Sequence, residues 1–287
     1  MQLTKHIHAL KIPFKVPVSP EMAVDRFVFS YIVFTDTITL IDTGVKGAEA
    51  TIFDYIIKNG GDPRQIKSVI LSHSHPDHIG SVRSIVETTG CRVLAHKGEK
   101  DWIEDTEKQF RERPVPGFPG LVGGPVKIDE FLADGDILKL GTDATCRVIH
   151  TPGHSKGSIT LMFDSEKAMF TGDSLPVPND MPIYDDFMAS LESINRIRGI
   201  KEADVLLQSW EEPLRGHTQI QKRIDDGILY LQRIHESVRE SVRKASAKGI
   251  KDPMEICRIV VGELGLPPFA ANPLVAASIA SNLAALV

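Results

Sequence analysis

Three histidines and an aspartate lie within six positions of this chain, in the run Ser72-His73-Ser74-His75-Pro76-Asp77-His78. Imidazole nitrogens and carboxylate oxygens are common ligands of zinc and other divalent metals. Residues two apart in an extended segment point to the same side, so His73 and His75 can close on one ion. The proline that follows bends the chain, and Asp77 and His78 can then turn toward a second ion. The run therefore predicts two metal half-sites, since a merely solvated loop has no need of four such donors.

Two later segments carry further donors. They are His150-Thr151-Pro152-Gly153-His154 and Thr171-Gly172-Asp173. Each follows a short run of apolar and β-branched residues, as the first cluster follows Ser68-Val69-Ile70-Leu71, and such runs are typical of buried strands. The sequence thus predicts that all of these donors stand where strands end.

The elements between the donors alternate between strand and helix. A hairpin is predicted over residues 31–41, helices over 47–58 and 82–90, and a strand over 92–95. Further strands are predicted at 137–140, 145–149, 158–163, 167–170 and 204–208. This alternation favours an α/β fold.

The three motifs together resemble the metallo-β-lactamase superfamily of metallohydrolases, over roughly residues 5 to 210. The resemblance implies a four-layer αβ/βα sandwich with a dinuclear site, usually of zinc, at one edge of its two sheets. It assigns His73, His75 and His154 to the first metal. It assigns Asp77, His78 and Asp173 to the second, with Asp173 bridging the two ions and Asp42 supporting the site from below. His150 precedes the motif histidine and is predicted to orient the site and not to bind metal.

One ligand of the family pattern is missing from its expected place. Family members supply another histidine after the strand that follows the bridging aspartate, but here residues 204–208 lead to Trp210. A Gly216-His217 pair comes a few residues later, and His217 is the candidate replacement. Glu211 is an alternative oxygen ligand, and without either of them the second metal would be incompletely held.

The composition of the chain limits the kinds of partner that we expect it to bind. The formal charge is −5, and the chain has no basic block of the kind that binds nucleic acid. Its three cysteines are far apart and form no Cys-x-x-Cys pair, which favours a reducing compartment. The first residues lack a long apolar segment, and residues 273–287 fall short of the ~20 needed to span a bilayer. We expect a cytoplasmic protein that acts on a small molecule, without nucleic-acid or membrane partners.

Two regions outside the motifs bear on organisation. Residues 110–125 are rich in proline and glycine and predict an irregular segment, either a lid over the site or a surface loop. After residue 217 a long helix to about Ala247 and two proline-started helices are expected, so the chain is divided into a catalytic domain (1–217) and a helical extension (218–287). The apolar stripe of the long helix either packs on the body or forms a homodimer.

The leading hypothesis is a metal-dependent hydrolase that uses a metal-bound hydroxide on a small ester, thioester or lactone. Asp77 would orient the hydroxide and carry its proton, and Lys156 and Tyr184 are candidate substrate contacts. The alternative is a mononuclear iron oxidoreductase of the persulfide dioxygenase type, so zinc is the expected metal and iron the other possibility. A scaffold protein without catalysis is disfavoured because all six donors from His73 to Asp173 are retained. Substrate preference would be determined by the segment 110–125, by residues 176–186 and by the helical tail.

Overall fold

A computed structural model describes residues 1–19, 22–181, 183–247 and 249–284. The strands form two six-stranded sheets. The first contains β1 (Ile7–Ser19), β2 (Met22–Phe34), β3 (Ile38–Ile41), β4 (Ile66–Leu71), β5 (Arg92–His96) and β6 (Glu130–Leu132), in that order. The second contains β7 (Ile137–Lys139), β8 (Thr145–His150), β9 (Ile159–Phe163), β10 (Ala168–Phe170), β11 (Val205–Leu207) and β12 (Leu214–Arg215), also side by side in chain order.

Helices cover the outer faces of both sheets. Those before β7 are α1 (Ala48–Lys58), α2 (Pro76–Ile79), α3 (Val82–Thr89), α4 (Lys100–Ile103), α5 (Thr106–Glu112) and α6 (Phe118–Leu121). Those after it are α7 (Phe187–Arg198), α8 (His217–Ala247), α9 (Pro253–Glu263) and α10 (Pro273–Ala284). Three apolar cores separate the layers, one between the sheets and one between each sheet and its helices. The predicted αβ/βα sandwich with C-terminal helices is confirmed.

Strand direction determines where the site can form. Strands β3 to β6 are mutually parallel, and β10 is parallel to β11. The carboxyl ends of parallel strands meet at one edge of a sheet, where ligand-binding loops collect. The backbone N–H of Ile159 in the second sheet donates to the carbonyl of Ser72 at the end of β4, 3.1 Å away. This contact joins the two sheets at the edge where the donors lie.

The first two strands are longer than the sequence indicated. Only residues 31–34 of β2 were predicted, and β1 was not predicted at all. Pro13 and Pro17 interrupt the strand pattern of β1, yet both are tolerated because β1 lies at the edge of its sheet and pairs only with β2.

The proline- and glycine-rich segment is more ordered than expected. The prediction that it would contain no regular element is wrong, because α6 lies within it. Phe118, Leu121 and Val122 are buried in the core beneath the first sheet. The carbonyl of Leu121 accepts a hydrogen bond of 2.8 Å from the backbone N–H of Lys46. This part of the segment is therefore fastened to the body, and whether the residues before it act as a lid stays a prediction.

The C-terminal helices share a core with the second sheet. Ile220, Ile224 and Leu231 of α8 belong to the same buried cluster as Met169 of β10 and Leu206 of β11. Much of the apolar stripe of α8 is thus used in packing within the chain. The division at residue 217 and the homodimer both stay predictions. No helix in the described ranges is both long and apolar enough to cross a bilayer.

Candidate metal centre

Strand ends bring the predicted ligands to one place. His73 and His75 follow β4, His154 follows β8 and Asp173 follows β10. The short helix α2 starts at Pro76, so Asp77 and His78 lie in its first turn. Proline suits this first helical position because it has no N–H to leave unpaired.

The first group contains His73, His75, His154 and Asp173, and one ligand atom from each lies within 4.8 Å of all the others. Nδ1 of His75 is 2.8 Å from Nε2 of His154. Oδ2 of Asp173 is 3.4 Å from Nε2 of His154 and 3.9 Å from Nε2 of His73. These distances bring three imidazoles and one carboxylate around a common point.

The second group contains Asp77, His78 and Asp173. Nε2 of His78 lies 3.3 Å from Oδ2 of Asp77 and 3.4 Å from Oδ1 of Asp173. Asp173 thus turns one oxygen to each group. A shared carboxylate of this kind is what a two-metal site requires.

Buried polar atoms that lack a hydrogen-bond partner indicate whether the residues fit metal ions. Five buried nitrogen and oxygen atoms of these residues have no hydrogen-bond partner within the described chain: Nε2 of His73, His75 and His78, Oδ2 of Asp77 and Oδ1 of Asp173. Burying a polar atom without a partner costs free energy, and such atoms are rare in native proteins. Nitrogen and oxygen donors that converge without partners fit zinc or a related ion, which would satisfy them together.

The protonation states of the three histidines in the first group agree with this fit. Burial lowers the pKa of His73 and of His75 well below the usual value, and it also lowers that of His154. These imidazoles are therefore neutral, as metal ligands must be. Burial acts in the same direction on His78, but the carboxylates of Asp173, Asp77 and Asp42 outweigh it and raise its pKa well above the usual value.

The acidity of the shared carboxylate follows from the same neighbours. Burial opposes ionisation of Asp173, yet His78, His154 and His73 hold its pKa well below the usual range. The carboxylate is ionised and ready to bind a cation.

Asp42 supports both halves of the site from below, as the resemblance implied. Its carboxylate accepts hydrogen bonds from the backbone N–H and the hydroxyl of Ser72, each 2.7 Å long, and lies 2.7 Å from Nδ1 of His78. The Ser72 hydroxyl is also 2.9 Å from Nδ1 of His73. Asp42 thereby orients one imidazole directly and another through Ser72. Its backbone φ of 57° is unusual for a residue other than glycine.

Glu99 is a functional residue that the sequence did not reveal. It is buried and accepts hydrogen bonds from the backbone and hydroxyl of Ser74, between the first two histidines. It also accepts from the Ser155 hydroxyl at 2.7 Å and from the N–H of Gly157 at 2.5 Å, just after His154. One carboxylate therefore holds together the two loops that carry the first group.

Gly153 allows His154 to approach the site. Its φ is 129°, and a Cβ there would lie 2.3 Å from the backbone nitrogen of Ser190. No other residue fits this backbone without displacing α7. Nδ1 of His154 in turn lies 2.8 Å from the carbonyl of Ile183, which leaves Nε2 directed to the other ligands.

Trp210 occupies the place where the family pattern has a histidine. Its indole Nε1 donates a hydrogen bond of 2.8 Å to Oδ2 of Asp173. The tryptophan contacts the shared carboxylate and offers no ligand atom. Glu211, the alternative ligand, instead pairs with Arg223, with oxygen and nitrogen 2.6 Å apart.

The structure also corrects the prediction for His217. Strand β12 returns antiparallel to β11, and the N–H of Gly216 donates to the carbonyl of Asp204 at the start of β11. His217 is exposed at that end of the strand, whereas Trp210 follows the opposite end. It therefore lies outside both groups of donors.

His150 lies outside both groups as well. Its ring stacks on that of His96, with centroids 4.1 Å apart, and its Nε2 is 3.0 Å from the carbonyl of Lys156. These contacts brace the loop that carries His154. They agree with a supporting role for this residue.

A cleft of about 790 Å³ reaches Glu99 and also Ser74 and Ser155, which are next in sequence to histidines of the first group. Lys156 lines it with an exposed side chain. Tyr184 also lines it but is buried, and its hydroxyl accepts a hydrogen bond of 2.6 Å from Nδ2 of Asn282 on α10. Burial raises the pKa of Tyr184, so its hydroxyl keeps its proton. Arg113, which no motif singled out, lines the same cleft.

Comparisons with known proteins agree with the fold. The chain is 31% identical to a hydroxyacylglutathione hydrolase of Hyphomonas neptunium over 134 residues, which are 46% of this chain and 43% of that protein. It is 24% identical to a hydroxyacylglutathione hydrolase of Methylococcus capsulatus over 202 residues, 70% of this chain and 67% of that protein. The matched region thus spans less than half the length of the Hyphomonas relative.

Solved structures extend the likeness of the fold to almost the whole chain. A metallo-beta-lactamase family protein from Thermus thermophilus superposes with a TM-score of 0.74 at 21% identity, over 98% of this chain and 93% of that one. A beta-lactamase domain protein from Burkholderia ambifaria gives 0.70 at 20% identity, over 100% and 87%. The family model of the Metallo-beta-lactamase superfamily matches residues 23–250. Together with the ligand groups described above, this match shows that the chain belongs to the metallo-β-lactamase superfamily.

Proposed function

We propose that this protein is a metal-dependent hydrolase of a small ester, thioester or lactone. The observation that carries the proposal is the convergence of unpaired buried donors on two adjacent points, with Asp173 common to both. Zinc suits this set of imidazole and carboxylate donors. Bound there, it would supply an activated water and polarise the bond under attack.

Asp77 is the residue to which we assign proton transfer. Its Oδ2 is buried and has no hydrogen-bond partner among the described residues, and it faces His78 across 3.3 Å. A carboxylate so placed can orient a water molecule for attack and accept its proton. His73, His75 and His154, which are neutral, would hold the first ion, and His78 and Asp173 would hold the second with Asp77.

The thioester class is supported by the relatives. Two of the proteins reported above are named hydroxyacylglutathione hydrolases. The cleft beside the first group is large enough for a small substrate and is lined by both polar and apolar side chains. Lys156 and Tyr184 stand in this cleft, where we assign them to contacts with the substrate.

The test is turnover by the zinc-loaded protein against thioesters, lactones, carboxylic esters and phosphodiesters. We expect hydrolysis of at least one of the first three classes. Asp77→Asn should reduce kcat by about 100- to 10,000-fold, the usual contribution of a general base. Asp54→Asn, an exposed change on α1, is the matched control and should leave the rate unchanged. Absence of turnover from a protein with full metal content would contradict the proposal.

A mononuclear iron oxidoreductase is the second candidate. Trp210 stands where another ligand of the second metal is expected, so the first group is the better supplied of the two. Two histidines and a carboxylate suffice for iron(II) in oxygenases. Metal analysis of protein purified without added metal separates the candidates: one iron per chain favours the oxidoreductase, and two zinc ions exclude it.

We also propose a cytoplasmic location. The three cysteines are free and buried, which agrees with a reducing compartment. We further propose that the protein acts on small molecules and has no nucleic-acid or membrane partner. We also propose that it forms a homodimer through its C-terminal helices.

A further inference from the structure

Arg113 presents an unusual charge to the cleft. It follows α5, and its backbone N–H donates to the carbonyl of Gln109 at 2.8 Å. The half-buried side chain lines the cleft beside Ser74 and Glu99. Within the described residues its guanidinium forms neither an ion pair nor a hydrogen bond, and acidic groups act on it only through space. Arginine has five N–H donors, and a half-buried guanidinium without any partner is costly.

Most acidic groups around Arg113 have other partners or roles. Asp185, Asp77, Asp173 and Glu99 all act on it through space, yet burial prevails and lowers its pKa. Asp77 and Asp173 are candidate metal ligands. The carboxylate of Glu99 already accepts hydrogen bonds from the two loops that it joins. Only the exposed Asp185 is left without a partner among the described residues.

The charged residues that line the cleft balance in number: Lys97, Lys108, Arg113 and Lys156 against Glu99, Asp101, Glu112 and Asp185. Lys108 is neutralised by the carboxylates of Asp101 and Glu112. Lys97 and Lys156 are exposed and form no ion pair in the described part of the chain. Among these cations Arg113 is both half-buried and without an ion pair in the described part of the chain, whereas Lys97 and Lys156 are exposed to solvent. A half-buried guanidinium without a partner favours a ligand of the opposite charge that can accept its hydrogen bonds.

We propose that Arg113 binds a carboxylate of the substrate, so that the preferred substrates are esters or thioesters that carry a negative charge close to the bond that is cleaved. The guanidinium fork matches a carboxylate with two parallel hydrogen bonds. Arg113 shares the cleft with Ser74 and interacts through space with Asp77 and Asp173, so the bound anion is held near the candidate ligands. This inference rests on the proposed hydrolase function and names its substrate class.

A structural role for Arg113 makes a different prediction. If it served to latch α5 to the opposite wall of the cleft through Asp185, its removal would affect all substrates equally. Asp185→Asn would then reproduce the effect of Arg113→Ala, and the double variant would be no worse than either single one. Substrate charge therefore separates the two roles.

The experiment compares matched substrates with the full-length zinc-loaded protein. One arm places the carboxylate on the acyl side, 4-nitrophenyl hemisuccinate against 4-nitrophenyl acetate. The other places it on the leaving group, the thioacetate of 3-mercaptopropionate against that of ethanethiol. For Arg113→Ala we expect kcat/KM to fall about 10- to 100-fold for the charged member of at least one pair, and less than about threefold for its neutral partner. Arg113→Lys should restore part of the loss.

Binding supplies a measurement that does not depend on turnover. Succinate should bind the wild-type protein more tightly than Arg113→Ala in isothermal titration calorimetry, with the metal content of the two proteins equal. Equal losses for charged and neutral substrates, or equal succinate affinities, overturn the inference about Arg113. If the wild-type protein hydrolyses no member of either pair and no thioester, lactone or ester of the wider panel, the proposed function fails, and the succinate affinities still decide the role of Arg113.

Discussion

The indole Nε1 of Trp210 donates a 2.8 Å hydrogen bond to Oδ2 of Asp173. This is the oxygen that lies 3.4 Å from Nε2 of His154, so the indole and the first group share one carboxylate atom. The tryptophan is itself held in place, because the guanidinium of Arg26 lies 5.5 Å from its ring and Phe14 packs 6.1 Å away. Arg26 is fixed in turn by two hydrogen bonds to Asp180. A ligand of the family pattern is thus replaced by a rigid donor that orients the shared carboxylate.

This relationship makes the two ion positions unequal, and the first prediction follows. Trp210→Phe removes the donor and adds no ligand, so metal affinity should fall by about 10- to 100-fold, as is usual when a residue that orients a ligand is lost. Trp210→His offers an imidazole instead and should tighten the second ion. Affinities are measured by competition with a chelator, and stoichiometry by elemental analysis after dialysis.

The two Trp210 variants control for each other. Both remove the bulk of the indole, so a general loosening of the site would weaken metal binding in both. Opposite directions support the assignment of Trp210 to the missing ligand position. If neither variant changes metal affinity, the hydrogen bond to Asp173 has no influence on the metals.

A second prediction concerns Asp42. Asn tolerates the positive φ of this position about as well as Asp does, so Asp42→Asn keeps the backbone and removes the charge. It should lower metal affinity by about 10- to 100-fold through the loss of orientation at His78 and Ser72. Asp42→Ala adds backbone strain and should also lower the free energy of unfolding, measured in urea. An Asn variant with wild-type affinity would show that the carboxylate only shapes the turn.

The parts of the site that could be predicted from the sequence are those in which neighbouring residues act together. His73, His75, Asp77 and His78 are close in sequence, and the strand that precedes them has a simple apolar pattern. The directions of β3, β4 and β5 follow from the alternation of strands and helices. Pairs that meet only in the folded chain leave no such pattern.

Glu99 and Arg113 show why the remainder was missed. Glu99 contacts Ser155 across 56 positions, and no spacing rule links the two. Arg113 lies in a segment whose proline and glycine content suggested a loop, while its importance comes from the cleft that distant elements complete. The prediction that His217 reaches the second metal does not match the structure for a related reason, since the antiparallel return of β12 reverses the chain before that residue.

The third prediction concerns the thiols. Burial raises the pKa of Cys146 to about 12 and also raises that of Cys91 and of Cys257. At pH 8 these thiols are protonated, and only the thiolate reacts. Labelling by 5,5′-dithiobis(2-nitrobenzoate) should therefore be slow in the native protein and fast in urea. Rapid labelling of the folded protein would contradict the burial of these side chains.

The same shift has a consequence for stability. The unfolded chain loses the thiol proton of Cys146 near the ordinary pKa of 9.0, whereas the folded chain retains it to about 12. Because the folded state then binds more protons, the contribution of this group is complete below pH 9 and is lost as the pH rises toward 12. Urea denaturation of wild-type protein and of Cys146→Ala over this range should show a steeper decline for the wild type. Parallel curves would exclude the contribution.

The final prediction separates the support of the metal loops from the ligands themselves. Glu99→Ala leaves buried donors of Ser74, Ser155 and Gly157 without an acceptor, so the free energy of unfolding of the metal-free protein should fall by about 3 kcal/mol or more. Metal affinity should fall as well, because the loops that carry His75 and His154 lose their common anchor. Glu107→Ala, on the exposed side of α5, is the control and should change neither quantity. Were Glu99→Ala to bind metal like the wild type while losing stability, the carboxylate would hold the fold and not the geometry of the ligands.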